Sequence, residues 1–245
     1  FGKVVFCDNP VTGGFVWMAM LVASPILALC SLSSVVSLNY TVHCLDLVPE
    51  TILRQGDFGV NAVLVGAGAA SFFQFEHPWL GWLGSLFMSA IFLPPVTLLV
   101  YLYCTRSLLL QPTAETQSMP TLLIPYNIVM VIFLMTAVLW DRSLVASAME
   151  GPATTVNFGV ATMNGVAKVY LAEGVPSGVL VLVGTLPCSR ILTASLLLGS
   201  VVATLLGWMF GMPPSVLNAG TAGYNAALTA GALAYYFVPS WTLVM

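Results

Sequence analysis

The stretch KVVFCDNPVTGG, Lys3–Gly14, decides how the rest of the chain is read. Its Asn-Pro step is a helix start: Asn9 can cap free amides with its side chain, and Pro10 fits the first helical position, where no donor is needed. One segment stops at Asp8 and a helix begins at once. Composition tells what solvent surrounds that helix. The 245 residues are 59% hydrophobic and only 6% charged, with a mean hydropathy of +0.98, whereas soluble domains carry about 25% charged residues. The uncharged runs Trp79–Tyr103, Thr121–Trp140 and Ile191–Phe210 are long enough to cross a bilayer core of about 30 Å. The expectation is an all-α integral membrane protein.

The opening stretch has a second copy. KVVFCD (Lys3–Asp8) matches KVYLAE (Lys168–Glu173), each with a Lys, a Val and an acid at the end of the segment. SPILA, starting at Ser24, matches SRILT, starting at Ser189, at the identical offset. NAVLVGAGAA, starting at Asn61, matches NAALTAGALA, starting at Asn225, at an offset shorter by a single position. The near-constant offset makes chance a poor account, and internal repeats of this kind are common in transporters. The division expected is a first transmembrane repeat over residues 1–140, a connector over 141–166 and a second repeat over 167–245. The second lacks counterparts of the last two spans, so either the protein is asymmetric or its C-terminus is truncated, and truncation is the expectation. Phe1 is not an initiator Met and no charged leader precedes an apolar run, so a missing N-terminus is expected as well.

The apolar segments are interrupted. Pro25 divides Phe15–Val48, Gly56 and Gly59 precede Asn61, and Pro125 lies within Thr121–Trp140. Backbone freed by such breaks cannot face lipid, so it lines protein or a water-filled path, and matched breaks in two repeats point to a path at the midplane. Asn61 and Asn225 each stand shortly after a Gly and shortly before a Leu, at the same spacing in both copies. Two readings stay open: a packing seam tied by one hydrogen bond, or a pore wall in which the two Asn hold the broken backbone.

Other classes fall away. Six Lys/Arg against nine Asp/Glu leave a formal charge of −3, too small and scattered to attract nucleic acid. Cys7, Cys30, Cys44, Cys104 and Cys188 form no CxxC pair or Cys/His cluster, so they read as small buried hydrophobes rather than metal ligands or a disulfide framework. His43 and His77 stand apart, the serines lack a paired base and the acids do not cluster, so no catalytic residue and no cofactor is expected. His77, in FEHPW, reads as part of a loop at the membrane interface. Few acids lie inside the spans, so an ion-coupled transporter lacks its usual parts. Too few Lys/Arg flank the spans to fix sidedness by the positive-inside rule.

Taken together, these segments resemble the urea transporter family. CDNPVTGG resembles its NPxxG motif, GVNAVLVG and GYNAALTAG its paired G(Y/F)NxxL segments, and MPTLLIPYN its LPxxTxPFN segment, in the right order over almost the whole chain. Aquaporins are the nearest rival by size and inverted repeats, but they need two NPA motifs, and Asn9-Pro10-Val11 occurs once. The resemblance implies a homotrimer in the lipid of the plasma membrane. Each protomer would hold its own pore, built from two inverted repeats with broken or re-entrant helices, and pass urea down its gradient. Urea is flat, neutral and rich in donors, so a narrow apolar slot can select its shape while a ladder of backbone oxygens replaces lost water.

Carried over by position, Phe6, Val60 and Leu64 face one slot, Leu171, Tyr224 and Leu228 the other, and Leu123 stands near the pore centre. Asp8, Asn9, Asn61, Glu173 and Asn225 are the expected structural support. Lys3 and Lys168 occupy the two entrances, where the family usually has Gln. A Lys offers donors only; each either pairs with its nearby acid, snorkels to headgroups, or shifts the pore toward another small amide-like or anionic solute. Further departures are Gly174-Val175 for Asn-Pro with Pro176 one place late, Val60 and Ala222 for aromatics, and Leu123 for Thr. Two alternatives follow: a channel of altered selectivity, or a non-conducting membrane scaffold of the same fold.

Overall fold

A computed structural model describes residues 1–45, 56–72, 78–104, 123–140 and 155–237. His77, residues 119–122 of the MPTLLIPYN segment and residues 141–154 of the expected connector lie outside them. The helices are α1 (Pro10–Ala23), α2 (Pro25–Cys44), α3 (Asp57–Phe72), α4 (Pro78–Phe87), α5 (Leu93–Tyr103), α6 (Ile124–Trp140), α7 (Phe158–Ala167), α8 (Val175–Thr185), α9 (Arg190–Met209), α10 (Pro214–Asn218) and α11 (Gly223–Tyr236). Short 3-10 turns at Gly2–Val5 and Lys168–Tyr170 carry the two lysines. By length and composition, Pro25–Cys44, Gly81–Tyr103 and Arg190–Met209 can each cross a membrane, and Phe158–Tyr170 with Val175–Thr185 forms a pair bent by 69°.

Proline explains most of the boundaries. α1 ends at Ala23 and α2 begins at Pro25, with Ser24 extended between them (φ −161°). Pro125, expected to interrupt a span, instead lies in the first turn of α6, where its missing amide costs nothing. α4 runs into α5 through a π-helical stretch, Met88–Phe92, just ahead of Pro94 and Pro95. These prolines cannot donate back into the preceding turn, and a wider turn takes up the strain. Of the five cysteines, Cys7, Cys30 and Cys104 are buried as expected, whereas Cys44 and Cys188 are exposed near helix ends.

The chain forms two compact units. One joins Phe1–Pro25 to Ala148–Met245. In it α1 packs on α8, α7 packs on α8, α9 and α11, and α9 lies along α11. A Cβ at Gly165 would overlap Ser200 Oγ and crowd the backbone of Gly223, so α7 and α11 meet at backbone distance, with Ser200 of α9 packed into the seam. Ser200 Oγ donates to the Thr162 carbonyl at 2.8 Å across that seam.

Positions related by the sequence offset exchange hydrogen bonds here. Thr12 Oγ1 donates to the Gly184 carbonyl at 2.7 Å, and Ser177 Oγ donates to the Ala19 carbonyl at 2.9 Å. Thr12 and Ser177 are equivalent positions at the repeat offset that relates Lys3 to Lys168, and so are Ala19 and Gly184. Such mutual exchange, residue i to j and its equivalent back again, is what a two-fold relation between α1 and α8 requires.

The other unit is Ile26–Ser147. Two apolar clusters hold it: Leu38, Val42, Ala62 and Leu98 in one, Val65, Ala69, Leu93 and Val129 in the other. A Cβ at Gly66 would overlap the Cys30 carbonyl, so α3 and α2 also touch at backbone distance. Ser33 and Ser89 hydroxyls lie 3.0 Å apart, which ties α2 to the π stretch.

Candidate pore-lining site

In the first unit each lysine turn ends in a left-handed residue. Phe6 has φ 61° and Leu171 has φ 56°, and these are the only two non-glycine positive-φ residues among those described. They too are related by the offset that carries Lys3 onto Lys168. The Phe6 amide donates to the Lys3 carbonyl and the Leu171 amide to the Lys168 carbonyl, both at 3.0 Å. A side chain in this conformation costs about 1 kcal/mol or more and collects at ligand clamps. Both corners turn the chain into a helix with a proline in its first turn.

The two helix starts are capped differently. Asn9 Oδ1 accepts the Val11 amide at 2.9 Å, with Pro10 as the first residue of α1. Gly174, at φ 105°, offers α8 no side-chain cap, and Pro176 follows Val175 as the second residue. The sequence departure at this motif is therefore a real change in backbone.

Both lysines pair with their nearby acids. Lys3 Nζ lies 2.6 Å from Asp8 Oδ1, and Lys168 Nζ lies 3.7 Å from Glu173 Oε1 while donating to the Ala219 carbonyl at 3.2 Å. Phe6, Leu171, Tyr224 and Leu228 are half-buried in the same unit, and α11, which carries the last two, touches both lysine turns. Asn225 is exposed, and among the described residues its side-chain amide has no hydrogen-bond partner. Its expected role in holding backbone is therefore not seen there.

The second unit places Val60 half-buried, and Leu64 and Asn61 buried, on α3. Asn61 Oδ1 accepts the Tyr126 amide at 3.0 Å, so it does hold the first turn of α6, beside Pro125. Leu123 is half-buried just before α6, and its carbonyl accepts both the amide and the Nδ2 of Asn127, at 3.0 and 2.9 Å. Where a Thr hydroxyl is absent, that oxygen already has two donors.

Some residues at the site carried no signal in the repeat pattern. Tyr235 stacks on Phe6 with centroids 5.5 Å apart, and Tyr236 meets the same ring edge-on at 5.8 Å. Buried Tyr170 donates its hydroxyl to the Phe1 carbonyl at 3.2 Å. Tyr235 and Tyr236 read in the sequence only as the end of an apolar helix. Among the described residues no group of His, Cys, Asp and Glu is placed to hold a metal ion.

Several apolar helices long enough to span a bilayer, together with a bent helix pair, are the parts of a multi-pass membrane protein. The chain belongs to the urea transporter family, whose pattern it matches over residues 1–245. That family consists of multi-pass passive urea channels, transporters rather than enzymes.

Proposed function

We propose that the chain conducts urea through a path with two slots, one walled by Phe6, Val60 and Leu64, the other by Leu171, Tyr224 and Leu228, with Leu123 near its centre and Lys3 and Lys168 at its mouths. Two inverted repeats, 1–140 and 167–245, joined by 141–166, supply one slot each. Asp8, Asn9, Asn61 and Glu173 support the walls, and the assembly is a homotrimer. The exposed row Leu198, Val202, Leu205 and Met209 on α9 suits lipid contact. The observation that carries the reading is the pair of left-handed corners at Phe6 and Leu171, each set between a lysine turn and a helix with proline in its first turn. Strain repeated at equivalent positions is retained where side chains must be aimed.

Stopped-flow light scattering on proteoliposomes tests it. The wild-type chain should equilibrate urea faster than empty vesicles, and Leu228→Trp, which fills the second slot, should lower that rate about ten-fold or more with equal protein incorporated. An unchanged rate in Leu228→Trp would remove Leu228 from the path.

A further inference from the structure

We propose that Asp8 and Glu173 act as counter-charges that keep the two mouths neutral, so that the path passes an uncharged solute and rejects an anion of the same shape. This rests on the placement of Lys3 and Lys168 at the mouths given above. A bare ammonium in a cleft draws anions in, raising their local concentration by about ten- to a thousand-fold. The structure holds both ammonium groups in check. Each lysine is mostly buried (26% and 22% exposed), whereas its acid is mostly exposed (61% for Asp8, 77% for Glu173), so the carboxylate is the outer member of each pair.

Both acids also occupy the same place in the local fold. Asp8 precedes Asn9, the N-cap of α1, and Glu173 precedes Gly174, the N-cap of α8. The positive end of a helix favours a carboxylate there, and each carboxylate faces its lysine. The two mouths differ in strength. Lys3 is in hydrogen-bond contact with Asp8 at 2.6 Å, while Lys168, 3.7 Å from Glu173, also serves the Ala219 carbonyl. By distance, the pairing is tighter at the first mouth.

Nitrate is the probe, because it is flat, three-pronged and close to urea in size but carries a charge. The full chain is reconstituted in vesicles, and urea and potassium nitrate fluxes are compared, with valinomycin letting potassium follow. The wild type should pass urea and exclude nitrate. Asp8→Asn should raise the nitrate-to-urea flux ratio about ten-fold or more, and Glu173→Gln should raise it less. The double variant Lys3→Gln/Asp8→Asn should restore the wild-type ratio. An unchanged ratio in both single variants would overturn the inference, as would a double variant that stays leaky, which would mean a loosened mouth rather than an exposed charge. If Asp8→Asn vesicles carry neither solute, Glu173→Gln decides alone, since its contact with Lys168 is the looser one, at 3.7 Å. A wild type that passes no urea would overturn the pore reading, and the inference with it; one that passes urea and nitrate alike would overturn only the inference.

Discussion

The exchanged hydrogen bonds between α1 and α8 look equivalent, but their energies should differ. Thr12→Val and Ser177→Ala each delete one buried hydroxyl donor. α8 ends at Thr185, so the Gly184 carbonyl is among the last four of its helix, which have no donor within it. The Cys188 amide, which would serve Gly184 if the helix continued, is bonded instead to the Thr185 carbonyl at 3.0 Å. Thr12→Val therefore leaves a buried carbonyl without a partner, at a cost of about 1–3 kcal/mol. Ala19 lies a full turn inside the end of α1, so its carbonyl keeps a donor within the helix when Ser177 is lost. The cost there should be about 0.6 kcal/mol, the usual value for a hydrogen bond between helices in a membrane. The assay is thermal unfolding in a fixed detergent, followed by tryptophan fluorescence and by recovery of monodisperse protein. At about 2–4 °C per kcal/mol, Thr12→Val should lose several degrees and Ser177→Ala about one or two. If Ser177→Ala costs as much as Thr12→Val, the argument from helix length is wrong.

Two further outcomes are expected. Asn61→Leu removes the acceptor for the Tyr126 amide from a buried position; it should destabilise the chain by about 1–3 kcal/mol, and a midpoint equal to wild type would show that α6 does not need this tie. A Cβ at Gly174 has room, its nearest neighbour being Pro176 Cδ at 3.7 Å, but the φ of 105° resists any L side chain. Gly174→Ala should therefore cost about 1–3 kcal/mol through backbone strain alone, and unfolding indistinguishable from wild type would refute that.

Much of the fold was legible because lipid leaves few solutions. Uncharged runs became helices, and Pro10 and Pro25 began helices where their missing amides are harmless. Other features depended on competition between local rules. Pro125 can kink a helix or start one, and only the tie from Asn61 to Tyr126 shows which. The π stretch needed Pro94 and Pro95 to be read together with Ser89, which finds a partner in Ser33. At the site, the spacing of Lys3 to Asp8 and of Lys168 to Glu173 was enough to suggest pairing, because a tight turn folds each acid back onto its lysine. The ring cluster on Phe6 was hidden, since Tyr235 comes from the opposite end of the chain and has no aromatic counterpart in the first repeat.

Helix α11 has one more consequence. It runs 14 residues, Gly223–Tyr236, beside both lysine turns, a length of about 21 Å. An α-helix hardly stretches, so it serves as a gauge block between the Phe6 and Leu171 corners. On the path proposed above, a solute moving from one corner to the other would cover a distance that this helix sets. The same helix also fixes a phase: one residue inserted into α11 would swing Tyr235 by about 100° and take it off the Phe6 face.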